Sequence, residues 1–200
     1  MNMKKLVALV ALAASTFASA QELSLTGGVS KLDERSEGEQ FNHSYGPMLK
    51  FNYVQWIALN DARFSINPGL SAGFYTSKLY ETEDQLMLSY VSLPVELVYK
   101  VKPVGSSFFV SAGGYFSYLI GAESDRGELR INDGDYSYKN TDYGINVGVG
   151  YVFEKGLTLR AGYTKGLANN LNYPEGQTDS YVKNSNFGLT IGYMIFRKRI

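Results

Sequence analysis

The stretch that decides the fold lies near the carboxyl end and reads Asn186-Phe-Gly-Leu-Thr-Ile-Gly-Tyr-Met-Ile-Phe196. Side chains in a β-strand alternate between two faces with a period of two residues. One face of this stretch is therefore apolar, and the other carries mainly small or polar residues. This alternation predicts a strand of a transmembrane barrel, apolar towards lipid and small or polar towards the lumen. The residues predicted to face lipid are Phe187, Leu189, Ile191, Tyr193 and Ile195.

The same stretch resembles the carboxyl-terminal assembly signal of outer-membrane barrels. That motif has a polar residue, a glycine two positions later, a hydrophobic residue three further on, and then an aromatic residue after two more. Here these positions hold Asn186, Gly188, Ile191 and Tyr193. The departure is a tail, 194–200, where many such proteins end. The resemblance implies that the barrel-assembly machinery is a partner of this chain.

Eight segments repeat the pattern of alternating faces, and each is long enough for the 9 to 11 tilted residues that a barrel strand needs. Their apolar faces carry aromatic residues near the ends, as the two interfacial girdles of a membrane barrel require. We therefore predict an all-β fold, an eight-stranded antiparallel up-and-down transmembrane β-barrel, formed by one domain at 21–200. The predicted strands are 22–30, 43–54, 63–77, 86–101, 107–121, 142–154, 157–167 and 181–197.

The first 20 residues have the three parts of an export signal. Lys4 and Lys5 precede an apolar run at 6–14, and Ala-Ser-Ala at 18–20 has the form of a cleavage site. The run is too short to cross the roughly 30 Å hydrocarbon core as a helix. The chain has no Cys, so no lipid-modified cysteine and no disulfide is available. We predict a signal peptide at 1–20 and a mature protein in the cell outer membrane, in contact with outer-membrane lipid.

Composition adds few functional indications. Of 200 residues, 16 are Tyr, 11 Phe and 21 Gly, and the formal charge balances to zero. A neutral chain gives no indication of nucleic-acid binding. No motif for a metal, a cofactor or a catalytic nucleophile is visible, and we predict none of these sites.

The connections between predicted strands alternate in length. Those at 31–42, 78–85, 122–140 and 168–180 are long, and those at 55–62, 102–106 and 155–156 are mostly shorter. Membrane barrels have long loops outside and short turns in the periplasm, so both termini are predicted to be periplasmic. The long connections hold most of the acidic residues, among them Asp33, Glu34 and Glu123. These residues either form solvated loops or bind divalent cations that bridge lipopolysaccharide.

Three charged residues are predicted to face the lumen. In the alternation of their strands, Lys50, Glu96 and Arg160 lie on the inward face. An eight-stranded barrel is narrow enough to be filled by side chains, and an unpaired charge there is costly. We predict a structural cluster in which Glu96 bridges Lys50 and Arg160. An ion path or a catalytic role is the alternative.

Three prolines interrupt predicted strands, at Pro47, Pro68 and Pro94. Proline lacks the backbone donor of a sheet, and a closed barrel has no free edge. We expect bulges or bound water at these positions.

The segment Tyr90-Val-Ser-Leu-Pro-Val-Glu-Leu-Val-Tyr-Lys100 resembles the most recognisable segment of the PorT-like outer-membrane β-barrel proteins of Bacteroidota. An aromatic residue, a Leu-Pro step and alternating aliphatics carry the resemblance, together with the glycine-rich segment at 110–119. The resemblance implies an eight-stranded barrel in the outer membrane. The founding member of that family is linked to a secretion and gliding apparatus, and no motif in this chain marks a role as an accessory component of such an apparatus.

Three functions remain open from the sequence. The first is a non-catalytic barrel whose acidic extracellular loops meet a surface partner, and the second is a narrow pore or transporter. The third is a lipid-modifying enzyme using His43, the only histidine, with Ser44 beside it. Adjacent strand residues face opposite sides, so this pair is poorly placed for catalysis, and we predict no enzyme activity. A lipocalin-like soluble barrel with its apolar faces turned inwards is the rival fold.

Overall fold

A computed structural model describes residues 20–35, 42–59, 61–78, 85–129, 131–134, 137–172 and 181–197. These residues form nine β-strands. No helix in the described ranges is long and apolar enough to cross a membrane. The strands are β1 (Ala20–Arg35), β2 (Asn42–Ala58), β3 (Phe64–Lys78), β4 (Gln85–Lys100), β5 (Ser107–Ser124), β6 (Gly127–Glu128), β7 (Thr141–Val152), β8 (Leu157–Gly166) and β9 (Tyr181–Arg197).

Eight of these strands close into a barrel. The sheet runs β4-β3-β2-β1-β9-β8-β7-β5, and pairing of β4 with β5 completes the ring. Every pairing between neighbours in this ring is antiparallel. The two-residue β6 pairs only with the end of β5. The predicted fold, an eight-stranded antiparallel up-and-down barrel, is confirmed.

The apolar side chains point away from the barrel axis. On β9 the exposed fractions of Leu189 and Ile191 are 62% and 54%, whereas the flanking Gly188 and Gly192, on the opposite face, are buried. The facing residues of β1 continue this outward surface, with Leu25 opposite Ile191. The same alternation holds around the ring, so the inward-facing apolar arrangement of the rival lipocalin-like fold is wrong.

Connections at one end of the barrel are short, and we call this the short-turn end. Gly156, in the tight turn between β7 and β8, has a φ of +97°. Glycine adopts this left-handed conformation without strain. In the turn between β2 and β3, Arg63 N donates to Asp61 Oδ1 at 2.9 Å. The opposite end, with the longer connections, is the long-loop end.

Two predicted loops are shorter than expected at the long-loop end. β1 continues to Arg35, so Asp33 and Glu34 belong to a strand and not to a loop. β5 continues through Glu123. Within the connection predicted at 122–140, Tyr138 is 6% exposed and forms bridges to Ile131 and Leu171. This connection therefore folds back over the barrel instead of forming a wholly solvated loop.

Each of the three prolines lies where the ladder with one neighbouring strand is interrupted, while the ladder with the other neighbour continues in register. The pairing of β2 with β3 begins at Met48, next to Pro47, and skips the stretch that contains Pro68. The pairing of β3 with β4 likewise skips Pro94. Register shifts occur elsewhere, between Gln21 and Glu22 and between Ser89 and Tyr90. The expectation of bulges at the prolines is wrong, because the interrupted ladder on one side removes the need for their missing donors. The alternative of bound water stays a prediction.

Candidate functional site

An ion pair between β4 and β8 forms the middle layer of the lumen. The Arg160 guanidinium donates to both carboxylate oxygens of Glu96, with each nitrogen-to-oxygen distance 2.7 Å. The Asn146 amide, on β7, also donates to Glu96 Oε1. Glu96 is only 7% exposed, so its charge depends on these partners for compensation.

A glycine on β7 provides the space for this guanidinium. A Cβ atom at Gly148 would lie 2.5 Å from Arg160 Nε and 2.9 Å from Nη2. Contacts that short force the neighbouring atoms to move, so any larger residue would displace the Arg160 head group. Gly148 therefore positions the charge of Arg160 as well as relieving crowding.

Lys50 is placed apart from this pair. Its amine lies 3.5 Å from Asn186 Oδ1 and 6.0 Å from the centroid of the Tyr75 ring. Between the described residues Lys50 and Glu96 there is no ion pair. The structure thus brings Glu96 and Arg160 together, and the predicted bridge from Glu96 to Lys50 is not formed.

The four residues of the predicted assembly signal divide between the two faces of β9. Asn186 is buried and accepts a hydrogen bond from Lys50 inside the lumen. Gly188 leaves space beside Met48, whose Cε would lie 2.5 Å from an added Cβ. Ile191 and Tyr193 face outwards. The inward half of the motif therefore contributes to lumen packing, and the outward half contributes to the apolar surface.

A second carboxylate lies between the ion pair and the short-turn end. Glu22 is 6% exposed and accepts hydrogen bonds from Trp56 Nε1 and Thr158 Oγ1, each at 2.9 Å. The Trp56 ring then packs edge-on against Phe109, with ring centroids 5.5 Å apart. These rings belong to an apolar group that we call the short-turn cluster: Ala20, Trp56, Val98, Phe109, Val152 and Met194.

A tyrosine layer lies on the other side of the ion pair. Tyr115 donates to Asp142 Oδ2 at 3.2 Å, and Asn184 Nδ2 donates to the Tyr90 hydroxyl at 3.2 Å. Beyond this layer is an apolar group that includes strand residues and the folded-back connection. We call it the long-loop cluster: Leu32, Leu86, Leu88, Tyr90, Leu119, Ala122, Tyr138 and Val182.

The polar residues between the two clusters line a cavity of about 120 Å³. This volume has room for roughly four water molecules at the density of liquid water. Three of the lining atoms, Asn67 Oδ1, Asp142 Oδ1 and Asn146 Oδ1, have no hydrogen-bond partner in the described ranges. A polar cavity of this size suits water that completes their hydrogen bonds.

The residues proposed for the enzymatic alternative point in opposite directions. His43 Nδ1 lies 2.6 Å from Asp33 Oδ1 on the outward face near the long-loop end. The Ser44 and Ser77 hydroxyls lie 2.7 Å apart on the inward face. A nucleophile and its base must lie within hydrogen-bond reach, and His43 and Ser44 do not meet this condition. No group of three metal-ligating side chains occurs in the described ranges.

A family profile described as outer membrane protein beta-barrel domain matches residues 14–172. The chain belongs to this outer-membrane β-barrel family. Membership agrees with the outward apolar surface and the closed ring, and it places the barrel in the cell outer membrane. No curated protein matches the sequence of this outer-membrane barrel.

Several solved structures are similar to this outer-membrane barrel. The outer membrane enzyme PagL is 12% identical, with 86% of this chain and 98% of that chain covered and a TM-score of 0.49. Neisserial surface protein A is 14% identical, with 86% and 96% covered and a TM-score of 0.46. The attachment invasion locus protein Ail of Yersinia pestis is 16% identical, with 87% and 98% covered and a TM-score of 0.37.

Sequence reasoning missed two lumen carboxylates of this outer-membrane barrel. Glu22 and Asp142 lie on the inward faces of β1 and β7. The signal for Glu22 was its alternation with the outward-facing Leu23 and Leu25, the same rule that identified Glu96. Asp142 stands at the start of its predicted strand, where the inward or outward direction is hardest to assign.

Proposed function

We propose that this chain is a non-catalytic outer-membrane barrel. Side chains packed in its lumen make the barrel a rigid scaffold for the connections at its long-loop end. The observation that carries the proposal is the order of layers along the lumen. The Glu96–Arg160 pair is compensated internally, and an apolar cluster lies on either side of the polar layers. Apolar constrictions oppose ion passage because water leaves them easily. This arrangement suits a scaffold better than a pore.

Planar-bilayer recording tests the scaffold against the pore. We expect no single-channel steps after reconstitution of the folded protein. A heat-shift gel on the same sample verifies that the barrel is folded, since a folded barrel resists SDS until it is boiled. Reproducible unitary steps from the folded fraction would overturn the proposal and favour the narrow pore.

Analysis of membrane lipids tests the absence of catalysis. The Asp33–His43 contact of 2.6 Å is the observation that favours the lipid-modifying alternative. We expect the lipid A mass spectrum of cells to be the same with and without this protein. A mass change that depends on the protein and disappears in His43→Ala would establish the enzymatic alternative instead.

The long-loop end is the surface that we assign to a partner. Long loops of membrane barrels are extracellular, which orients this end outwards and the termini to the periplasm. A photo-crosslinker at the exposed Asp133 should give a discrete protein adduct in cells, and the matched position Lys155, in a short turn, should not. An adduct-free Asp133 sample would contradict the interaction role.

The export signal and the PorT-like resemblance also belong to this proposal. The family profile that matches 14–172 describes outer-membrane barrels in general. The narrower PorT-like assignment therefore rests on the resemblance of the segment that contains Leu93 and Pro94. Residues 1–19 lie outside the described ranges. Amino-terminal sequencing of protein from outer membranes should begin at Gln21, so the mature protein would lack Ala20 of β1 and of the short-turn cluster. An intact Met1 would contradict cleavage of a signal peptide.

A further inference from the structure

The outward face near the long-loop end carries a concentration of lysines. Lys165 lies on β8, Lys183 on β9 and Lys31 on β1, which are consecutive strands in the ring. Leu32 and Val182 are buried in the long-loop cluster. Because neighbours in a strand face opposite sides, Lys31 and Lys183 must face outwards. Lys165 is exposed and alternates with the buried Gly166.

The strand register brings these lysines to one patch. Ser185 of β9 is opposite both Lys165 of β8 and Lys31 of β1. Neighbouring strands are about 4.8 Å apart, so the backbones of Lys165 and Lys31 are separated by roughly 10 Å. Lys183 is two residues further along β9 and is opposite Asp33. We call Lys31, Lys165 and Lys183 the lysine patch.

The patch lies directly beyond the apolar band. Lys31 is two residues past Val29, and Lys165 is two residues past Tyr163, both of which are exposed. Two strand residues advance about 7 Å along the strand. The ammonium groups therefore stand at the level where hydrocarbon gives way to lipid headgroups.

The charge of this patch is only partly neutralised. On the described outward faces of β1, β2, β8 and β9, Asp33 is the one carboxylate. It lies 2.6 Å from Lys31 Nζ and 2.6 Å from His43 Nδ1. Lys183 Nζ lies 4.8 Å from the centre of the Tyr181 ring, a contact that leaves its positive charge in place. Across the barrel, the outward face of β5 carries Glu123 at the same end.

We propose that the lysine patch binds the phosphate group of an outer-leaflet lipid headgroup, while the acyl chains of that lipid lie on the apolar face below. Lysine ammonium groups bind phosphate as point charges with several donors. A soluble anion would use only the charges, whereas a lipid also uses the adjoining apolar surface of β9 and β1. The continuity of these two surfaces selects the lipid. This site is independent of any partner of the loops.

Native mass spectrometry of the whole folded protein in detergent tests the site. The probe is bisphosphoryl lipid A, compared with the same lipid after removal of its phosphates. The variant is Lys165→Gln with Lys183→Gln, which leaves the Lys31–Asp33 contact intact. The matched control removes two exposed lysines at the other end, Lys102→Gln with Lys155→Gln. All the changed side chains are on the surface, and the heat-shift gel verifies folding.

We expect the patch variant to bind bisphosphoryl lipid A at least tenfold more weakly, since a lysine near an anionic surface contributes roughly fivefold. The control variant should bind as the wild type does, and Lys165→Arg with Lys183→Arg should retain binding. Removal of the phosphates should weaken binding to the wild type. Three results would overturn the proposal: a patch variant that binds as well as the wild type, a control variant that loses as much binding as the patch variant, or a wild type that binds the dephosphorylated lipid as well as bisphosphoryl lipid A. Displacement of the lipid by excess inorganic phosphate would show a site for free anions instead.

Discussion

Glu96 and Arg160 meet across the lumen although β5 and β7 separate their strands in the ring. Both guanidinium-to-carboxylate distances are 2.7 Å, a two-point geometry that fixes the orientation of each group. The pair connects two walls that share no backbone hydrogen bonds. The charges of Glu96 and Arg160 therefore compensate each other from opposite walls of this narrow interior.

Truncation of one member of this pair should destabilise the barrel strongly. Glu96→Ala leaves the Arg160 charge without its carboxylate in a narrow interior, and removal of one partner from a buried pair costs about 3–5 kcal/mol. Arg160 is less buried than Glu96, which favours the lower part of this range. Urea unfolding in lipid vesicles, followed by fluorescence of the single tryptophan Trp56, measures the change.

The double variant Glu96→Leu with Arg160→Leu is the control for this prediction. Replacement of both charges removes the uncompensated group, so the double variant should be more stable than Glu96→Ala. A double variant as unstable as the sum of the two single Leu variants would show that Glu96 and Arg160 do not act as a pair.

Two neighbouring glycines of β5 should respond differently to the same substitution. A Cβ atom at Gly113 would overlap the Val95 carbonyl oxygen and lie 2.7 Å from Glu96 Cα, both backbone atoms. At Gly114 the nearest such atom is 3.5 Å away. Gly113→Ala should cost about 1–3 kcal/mol, and Gly114→Ala should cost much less. Equal unfolding midpoints in urea for the two variants would contradict the close packing of β4 and β5.

The barrel could be predicted from sequence because its signal is local. The period of two in segments such as 186–196 assigns each side chain to a face without knowledge of any other strand. The outward positions of Leu189 and Ile191 and the inward positions of Glu96 and Arg160 follow from that rule. The extension of β1 to Arg35 was missed, because charged residues there suggested a loop although the strand continues beyond the apolar band.

Pairing within the lumen could not be predicted in the same way. Whether Glu96 meets Arg160 or Lys50 depends on the relative stagger of strands that are not neighbours, and local alternation carries no information about that stagger. The contact of Tyr138 with the long-loop cluster is likewise a tertiary feature of a segment without regular periodicity. Sequence therefore identified three of the lumen charges and the contact of Glu96 with Arg160, but it missed Glu22 and Asp142 and wrongly joined Lys50 to Glu96.

An arginine on the outward face should measure the contact with lipid. Leu189→Arg places a charge within the apolar band and should cost about 2–4 kcal/mol in vesicles. Val104→Arg is the matched control, because Val104 is 63% exposed but lies in a short turn outside the strands. Folding titrations in urea give both values. A loss at Val104 as large as that at Leu189 would contradict a lipid-facing position for Leu189.

Tyr138 should hold the folded-back connection over the lumen. Its backbone oxygen accepts from Asn132 N at 2.8 Å, and its side chain packs in the long-loop cluster near Ala122.

Since the chain lacks cysteine, Ala122→Cys gives one reactive thiol beneath this connection, and only slow labelling by a water-soluble maleimide is expected. Removal of a buried aromatic ring costs about 3–5 kcal/mol, so Tyr138→Ala should accelerate labelling by at least roughly a hundredfold if the connection opens locally. The adjacent Glu123→Cys, on the exposed face, should react rapidly with or without Tyr138. An unchanged labelling rate at Ala122→Cys, with Glu123→Cys reacting as expected, would show that other residues hold this connection in place.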